Sequence, residues 1–276
     1  MTNAHQTTAR ARSAANGDWK ETMGRVGLVG RGVMYSVIGL LAIQLALGDA
    51  GQDASSSGAI EWIAGQPLGK FLLVALTVSL FALAGWRLLD AAVGDPVEGS
   101  EATDRAEFAI KGVVYLGLAI GALTTTVSNW NGSGGGSGGG SGDSGSQQAT
   151  ATVLEWPAGQ WIVTAVGLGI IGYAIYMFKK HVMDEEFLQR LSTSEDWVEK
   201  LGRGGYAARS AIFLVIGWFL VQAGLTHEPG ETKGLSGALQ EISGQSWGQL
   251  LLLAVAVGLL AFGLFSLAEA KYRRDA

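Results

Sequence analysis

The sequence predicts an all-α membrane protein, with six transmembrane helices forming three tandem pseudo-symmetric helical hairpins and both termini in the cytoplasm. Three observations carry this. The 276-residue chain is 48% hydrophobic but only 16% charged, against about 25% charged in a soluble domain. It contains six apolar stretches of the ~20 residues a bilayer crossing needs. Its first and last thirds share a pattern at a constant offset of 178 residues.

The elements follow in chain order. Residues 1–22 are polar, lack the apolar core of a signal peptide, and are expected to form a disordered cytoplasmic N-terminus. Residues 23–95 read as the first hairpin, with spans at about 26–47 and 68–91. Between these spans Ile60, Trp62 and Ile63 suggest a short interfacial helix at Ala59–Ala64, with its apolar side toward lipid. Residues 103–183 form a second hairpin, with spans at about 108–128 and 160–178 joined by the Gly/Ser-rich outer loop 131–148. Residues 184–201 read as a cytoplasmic amphipathic helix. Phe187, Leu188 and Leu191 form one apolar patch and Trp197, Val198 and Leu201 a second, with Ser192 or Thr193 available as a cap between them. Residues 202–276 form the third hairpin, with spans at about 205–226 and 248–268.

Charge orients this arrangement. Residues 1–31, 87–111, 178–209 and 269–276 carry 17 of the 19 Lys and Arg residues, leaving Lys70 and Lys233 for the other side. The positive-inside rule places the basic side in the cytoplasm. The outer loops carry eight acids and a net charge of −6. The expected location is the plasma membrane of a bacterium or archaeon.

The repeat is visible residue by residue. "GRVGLVGRGVMYSVIGLLAIQLAL" from Gly24 aligns with "GRGGYAARSAIFLVIGWFLVQAGL" from Gly202, and "GAIEWIAGQPLG" from Gly58 with "GALQEISGQSWG" from Gly237. A worn middle copy places Lys111 and Tyr115 at the positions of Arg31 and Tyr35, and Pro157 and Gly159 at those of Pro67 and Gly69. These motifs, with the terminal "GLFSLAEAKYRR", resemble the bacterial and archaeal membrane family catalogued as domain of unknown function 1206. The resemblance implies three copies of a two-helix unit and supplies no activity.

The candidate functional residues lie near the ends of the spans. Arg31, Lys111 and Arg209 recur about two turns inside the odd helices. They are read as snorkelling anchors, as a cytoplasm-facing ring that attracts an anion or an anionic lipid headgroup, or as members of ion pairs. In the paired reading Asp90 and Glu269 each meet the arginine of their own hairpin, Arg31 and Arg209, while Lys111 pairs with Glu107 one turn away. Gln44 and Gln222 are candidates for interhelical polar contacts, or for the lining of a pore entrance. Gly117-x-x-x-Gly121 and Gly32-x-x-x-Ser36 offer small faces for close helix packing.

Several chemistries are disfavoured. The absence of cysteine removes disulfides and thiolate metal sites. His5, His181 and His227 are far apart and outside the expected spans. Gly202, Gly204 and Ala207 match the dinucleotide fingerprint G-x-G-x-x-A, but no strand precedes them and a membrane span follows. No catalytic residue, metal or cofactor is therefore expected. The expected partners are the bilayer, anionic headgroups and other membrane proteins, without nucleic acid. The expected role is a non-enzymatic scaffold or a lipid- or protein-binding membrane component. The alternative is a passive channel or facilitator for a small solute or anion along the pseudo-threefold axis.

Overall fold

The structure, a computed structural model, describes residues 2–48, 54–67, 69–95, 99–130, 142–193, 195–244 and 248–273; the side chains at 2–18, 20, 57, 128–129 and 142–146 are not among those described. Nine α-helices occur among these residues: α1 (Thr2–Ala46), α2 (Ser56–Ala64), α3 (Gly69–Val93), α4 (Ala102–Trp130), α5 (Gly142–Leu154), α6 (Gly159–Phe178), α7 (Asp196–Thr226), α8 (Leu235–Ser243) and α9 (Gly248–Tyr272). Short turns connect them, and the described residues contain two isolated β-bridges but no strand. Six helices are long and apolar enough to cross a membrane, over Glu21–Ala46, Gly69–Val93, Ala102–Val127, Gly159–Met183, Asp196–Thr226 and Gly248–Tyr272. The chain is a multi-pass membrane protein.

Several helices run further than expected at their basic ends. Hydropathy reads only the part that crosses hydrocarbon, whereas i→i−4 hydrogen bonding is not confined to it and continues into the polar flank. Thus α7 starts at Asp196 rather than near 205, and α4 at Ala102 rather than near 108. Residues 2–22, expected to be disordered, continue α1 toward the N-terminus; this segment is rich in alanine, the strongest helix former. Within the expected loop 131–148, residues 142–148 belong to α5, while 131–141 lie outside the described residues.

The segment 184–201 is not one helix. A π-helical turn at Lys179–Met183 ends α6, a 3₁₀ turn follows at Glu186–Arg190, and α7 begins at Asp196. Ser192 does not cap α7; its N–H and hydroxyl both donate to the Tyr272 carbonyl, at 2.7 and 2.9 Å. Thr193 Oγ1 accepts from the Glu195 N–H at 3.3 Å, ahead of the helix. With the Leu191–Arg273 bridge, these bonds tie the segment to the end of α9.

The short helices α2, α5 and α8 lie at the opposite end from the arginines. Ser55 caps α2 by accepting from the Gly58 N–H at 3.1 Å. Ile60 and Ile63 do not face lipid; both are buried in the main core, because α2 folds back onto α1, α3 and α4. Each following span begins at a glycine, Gly69, Gly159 or Gly248. A Cβ there would lie 2.3, 2.0 or 1.9 Å from the carbonyl of Ala64, Val153 or Ile242. The glycine lets the last turn of the short helix sit directly on the start of the long one.

The long helices pack in a definite order. The most extensive contacts join α9 to α1, α3 to α4 and α6 to α7; α1 also packs on α3 and α7 on α9. Lipid tails are as apolar as leucine, so close van der Waals packing at small residues has to hold these pairs. In repeat 1 a Cβ at Gly27 would lie 2.6 Å from Leu83, and one at Gly30 2.3 Å from Ser79. In repeat 3 the same register gives Gly205 at 2.6 Å from Phe262, and Gly258 at 2.3 Å from Ala208. The small face Gly32/Ser36 meets Gly263 of α9.

The middle repeat departs from this pattern. Where α1 has Gly24, Gly27 and Gly30, and α7 has Gly202, Gly205 and Ala208, α4 carries Asp104, Glu107 and Ile110. With these larger side chains in place of small ones, α4 and α6 do not pack along their lengths. Gly169, in the register of Ser79 and Gly258, has open space beside it, and Ile110 is 66% exposed. Gly117 likewise has open space, so the expected small face on α4 joins no helix at that position.

Two substitutions test this packing. Gly205→Leu must displace the α9 backbone at Phe262, and should cost about 1–3 kcal/mol as overpacking. Gly117→Ala meets nothing and raises helix propensity, so a gain of up to about 1 kcal/mol is expected. Unfolding midpoints in detergent should move in opposite directions.

Candidate anion site at the basic end

The site is built around the α9 residues Phe262, Ser266 and Glu269, which follow helical spacing and so share one face. Glu269 is 1% exposed and lies among three arginines. Arg31 Nη2 from α1 is 2.5 Å from its Oε2, while Arg273 Nη1 and Arg190 Nη1 are 3.6 and 4.0 Å from Oε1. Arg31 Nε also donates to Ser266 Oγ at 3.1 Å, and that hydroxyl donates to the Phe262 carbonyl at 2.9 Å. Arg273 continues to Asp95, beyond α3, at 3.5 Å. Trp86 is held between the guanidinium groups of Arg87 and Arg273, at 4.0 and 4.4 Å from its ring.

This pairing differs from the expected one. Glu269 meets Arg31 of the first repeat, not Arg209 of its own. Asp90, fully buried, pairs with Arg87 on its own helix at 3.4 Å. The reason is the packing order. Each even helix lies most closely against the odd helix of the next repeat, so the odd-helix cation looks toward the preceding repeat for its carboxylate. Lys111 Nζ is 2.6 Å from Glu107 Oε1, one turn earlier on α4.

Among the described residues Arg209 has neither kind of partner. In the register where Ser266 and Glu269 meet Arg31, α6 offers Met177 and Lys180 to Arg209. Among the described residues no carboxylate pairs with it, and its Nε is buried without a hydrogen-bond partner. Its guanidinium lies 5.0, 5.4 and 5.5 Å from the rings of Phe262, Phe213 and Tyr35. Tyr173 stacks edge-on to that Phe213 ring at 6.0 Å, and Tyr206 to the Phe262 ring at 5.2 Å. Arg31 and Arg209 share the Phe262 ring, which lies 5.2 Å from the Arg31 guanidinium. Arg31 therefore shares one carboxylate with two further arginines, while Arg209 beside it has none among the described residues. An uncompensated cation removed from water is costly, so the arrangement favours an added anion, with guanidinium and phenol groups as donors.

The remaining sequence candidates are placed elsewhere. Gln44 is exposed. Gln222 donates to Glu231 in the following turn at 3.0 Å, rather than to another helix. Other residues make the interhelical polar contacts: the Thr77 and Thr126 hydroxyls at 3.1 Å, and Gln249 donating to the Ala46 carbonyl at 2.9 Å. His181 is buried in the π-helical turn of the fourth span, not outside it, and stacks on Tyr206 at 4.1 Å. Among the described residues no group of three or more His, Asp and Glu could hold a metal ion. Arg190 went unseen in the sequence because it reaches the site from a distant segment; Tyr206 and Arg273, also unseen, lie one turn from Arg209 and Glu269. The recurrence of Tyr35 as Tyr115 was the one visible signal.

The model of the family described as Domain of Unknown Function (DUF1206) matches residues 26–94, 106–183 and 204–273. The chain belongs to this family. The three matched copies coincide with the repeats whose registers place Arg31, Lys111 and Arg209. The chain is also similar to the "Uncharacterized protein YxxB" of Bacillus subtilis, with 31% identity over 261 residues covering 92% of each chain. No solved structure matches it.

The two arginines predict opposite responses. Arg31→Met removes the nearest cation from buried Glu269, leaving Arg273 and Arg190 at 3.6 and 4.0 Å, and should cost up to about 3–5 kcal/mol. Arg209→Met removes a cation without stranding a carboxylate, and should leave the unfolding midpoint in plain detergent unchanged or raised. Equal losses in both variants would contradict the assignment of Glu269 to Arg31.

Proposed function

We propose that the protein is a non-enzymatic membrane component that binds an anionic group at the basic end of its helix bundle. It is built as three pseudo-symmetric hairpins with both termini in the cytoplasm, in the plasma membrane of a bacterium or archaeon. The observation that carries the proposal is Arg209: a largely buried cation ringed by aromatic faces, with no carboxylate partner among the described residues. Phenols and guanidinium groups are the chemistry of holding an anion, and the polar groups here form no nucleophile–base pair. The concentration of Lys and Arg at this end supports the cytoplasmic orientation.

A passive channel along the axis is less well supported. Ile38, Leu41, Ala119, Ala122, Ile212 and Leu259, drawn from four spans, belong to one packed core cluster. Such packing leaves little room for a hydrated path.

Three measurements test the proposal. Sulfate or phosphate should raise the unfolding midpoint of the wild type, by the equivalent of about 2.7 kcal/mol at a hundred times Kd, and should leave Arg209→Met unmoved. Solute flux into proteoliposomes should equal that of empty vesicles. Because the chain lacks cysteine, single-cysteine labelling can report topology. Thr193→Cys should react only after the membrane is permeabilised, whereas His227→Cys should react in intact cells; the reverse result would refute the orientation.

A further inference from the structure

We infer that the anion held at Arg209 is the phosphate of an anionic phospholipid, which enters sideways from the bilayer between α4 and α6. The inference rests on the anion reading of Arg209 and adds the source and route of the ligand. Four observations support it.

First, among the described residues α4 and α6 do not pack along their lengths. Repeats 1 and 3 close their own helix pairs through Gly27, Gly30 and Gly205, whereas repeat 2 carries Glu107 and Ile110 in the register of Gly27 and Gly30. Second, the opening is level with the cation. Lys111 is the register equivalent of Arg209; Ile110, beside it, is 66% exposed, and Gly169 on α6 has open space beside it. Tyr173 on α6 stacks edge-on against Phe213 at 6.0 Å, and the Arg209 guanidinium lies 5.4 Å from that same Phe213 ring. Third, the opening is bridged on its basic side. One turn nearer that end, the Tyr173 hydroxyl donates to Glu107 Oε1 at 3.4 Å, and Glu107 is itself held by Lys111. A solute from the aqueous side meets this contact, whereas a molecule in the bilayer meets open space. Fourth, the depth suits a headgroup. With a rise of ~1.5 Å per residue, Arg209 lies about 25 Å from the outer end of α7, near the inner border of a ~30 Å hydrocarbon core. A phosphodiester there reaches the guanidinium and the phenols while its acyl chains occupy the apolar opening. Lys180, one turn beyond Tyr176, lies at the rim, where it donates to the Tyr176 hydroxyl at 3.0 Å and pairs with Glu186 at 3.6 Å.

The test combines two probes with three variants of the purified full-length protein. Binding of palmitoyl-oleoyl phosphatidylglycerol is measured by native mass spectrometry, with the phosphatidylcholine analogue as zwitterionic control. Binding of inorganic phosphate is followed by thermal shift. The variants are Arg209→Met, Gly169→Phe and Ile110→Trp; the last two fill the opening from opposite walls, so neither need displace the core. The wild type should bind one phosphatidylglycerol at least tenfold more tightly than phosphatidylcholine. Arg209→Met should lose that preference to within twofold. The two filling variants should lose phosphatidylglycerol at least tenfold while responding to phosphate as the wild type does. If phosphate stabilises the wild type but not Arg209→Met, and lipid preference is absent or survives both filling variants, the lateral lipid route is wrong and the anion site stands. If neither probe distinguishes the wild type from Arg209→Met, both the route and the anion reading fall.

Discussion

A single buried carboxylate organises the basic end of this protein. Glu269 holds Arg31 from the first span and lies within ion-pairing distance of Arg190 and Arg273. Through them it ties together α1, the 3₁₀ turn before α7, and the end of α9. Within an apolar bundle such a network is stable only if each charge has a partner, because a stranded charge costs several kcal/mol. The geometry is therefore demanding: Ser266 supplies a second acceptor to Arg31, and Asp95 supplies one to Arg273.

The same network makes Arg209 conspicuous. Three repeats in one register would be expected to provide three equivalent cation sites. The structure provides three different ones. Arg31 has a carboxylate from the neighbouring repeat, Lys111 has Glu107 on its own helix, and Arg209 has aromatic rings. The substitutions that cause this lie in the middle copy. Lys180 stands where Glu269 stands in the third repeat, so a cation replaces the expected acid. Asp104, Glu107 and Ile110 stand where small residues close the other two repeats. One worn repeat thus accounts both for the uncompensated arginine and for the open seam beside it.

Much of this architecture was legible in the sequence for a simple reason: a bilayer constrains composition strongly. The spans could be read because hydrocarbon tolerates little but apolar side chains over ~20 residues. The repeat was visible because the glycines at helix contacts recur at one spacing, and Gly32/Ser36 found a partner in Gly263. The weaker readings concerned the polar flanks. Residues 184–201 carry an amphipathic pattern, yet the backbone there turns to bring Ser192 beneath Tyr272. Ile60 and Ile63 were read toward lipid and are in the core, because periodicity marks an apolar face without saying what covers it.

The sequence by itself determined which segments cross the membrane, where the cations cluster and how often the unit repeats. Each is a local property of composition or spacing. The tertiary structure decided who pairs with whom. Glu269 could face Arg209 in its own hairpin or Arg31 in the next, and both satisfy the spacing. Only the packing of α9 against α1, at Gly32, Gly39 and Gly263, brings Arg31 to the carboxylate and leaves Arg209 to the aromatic rings. Side-chain reach is a few ångströms, so the choice of neighbouring helix settles a charge's partner, and that choice depends on contacts between residues more than two hundred positions apart.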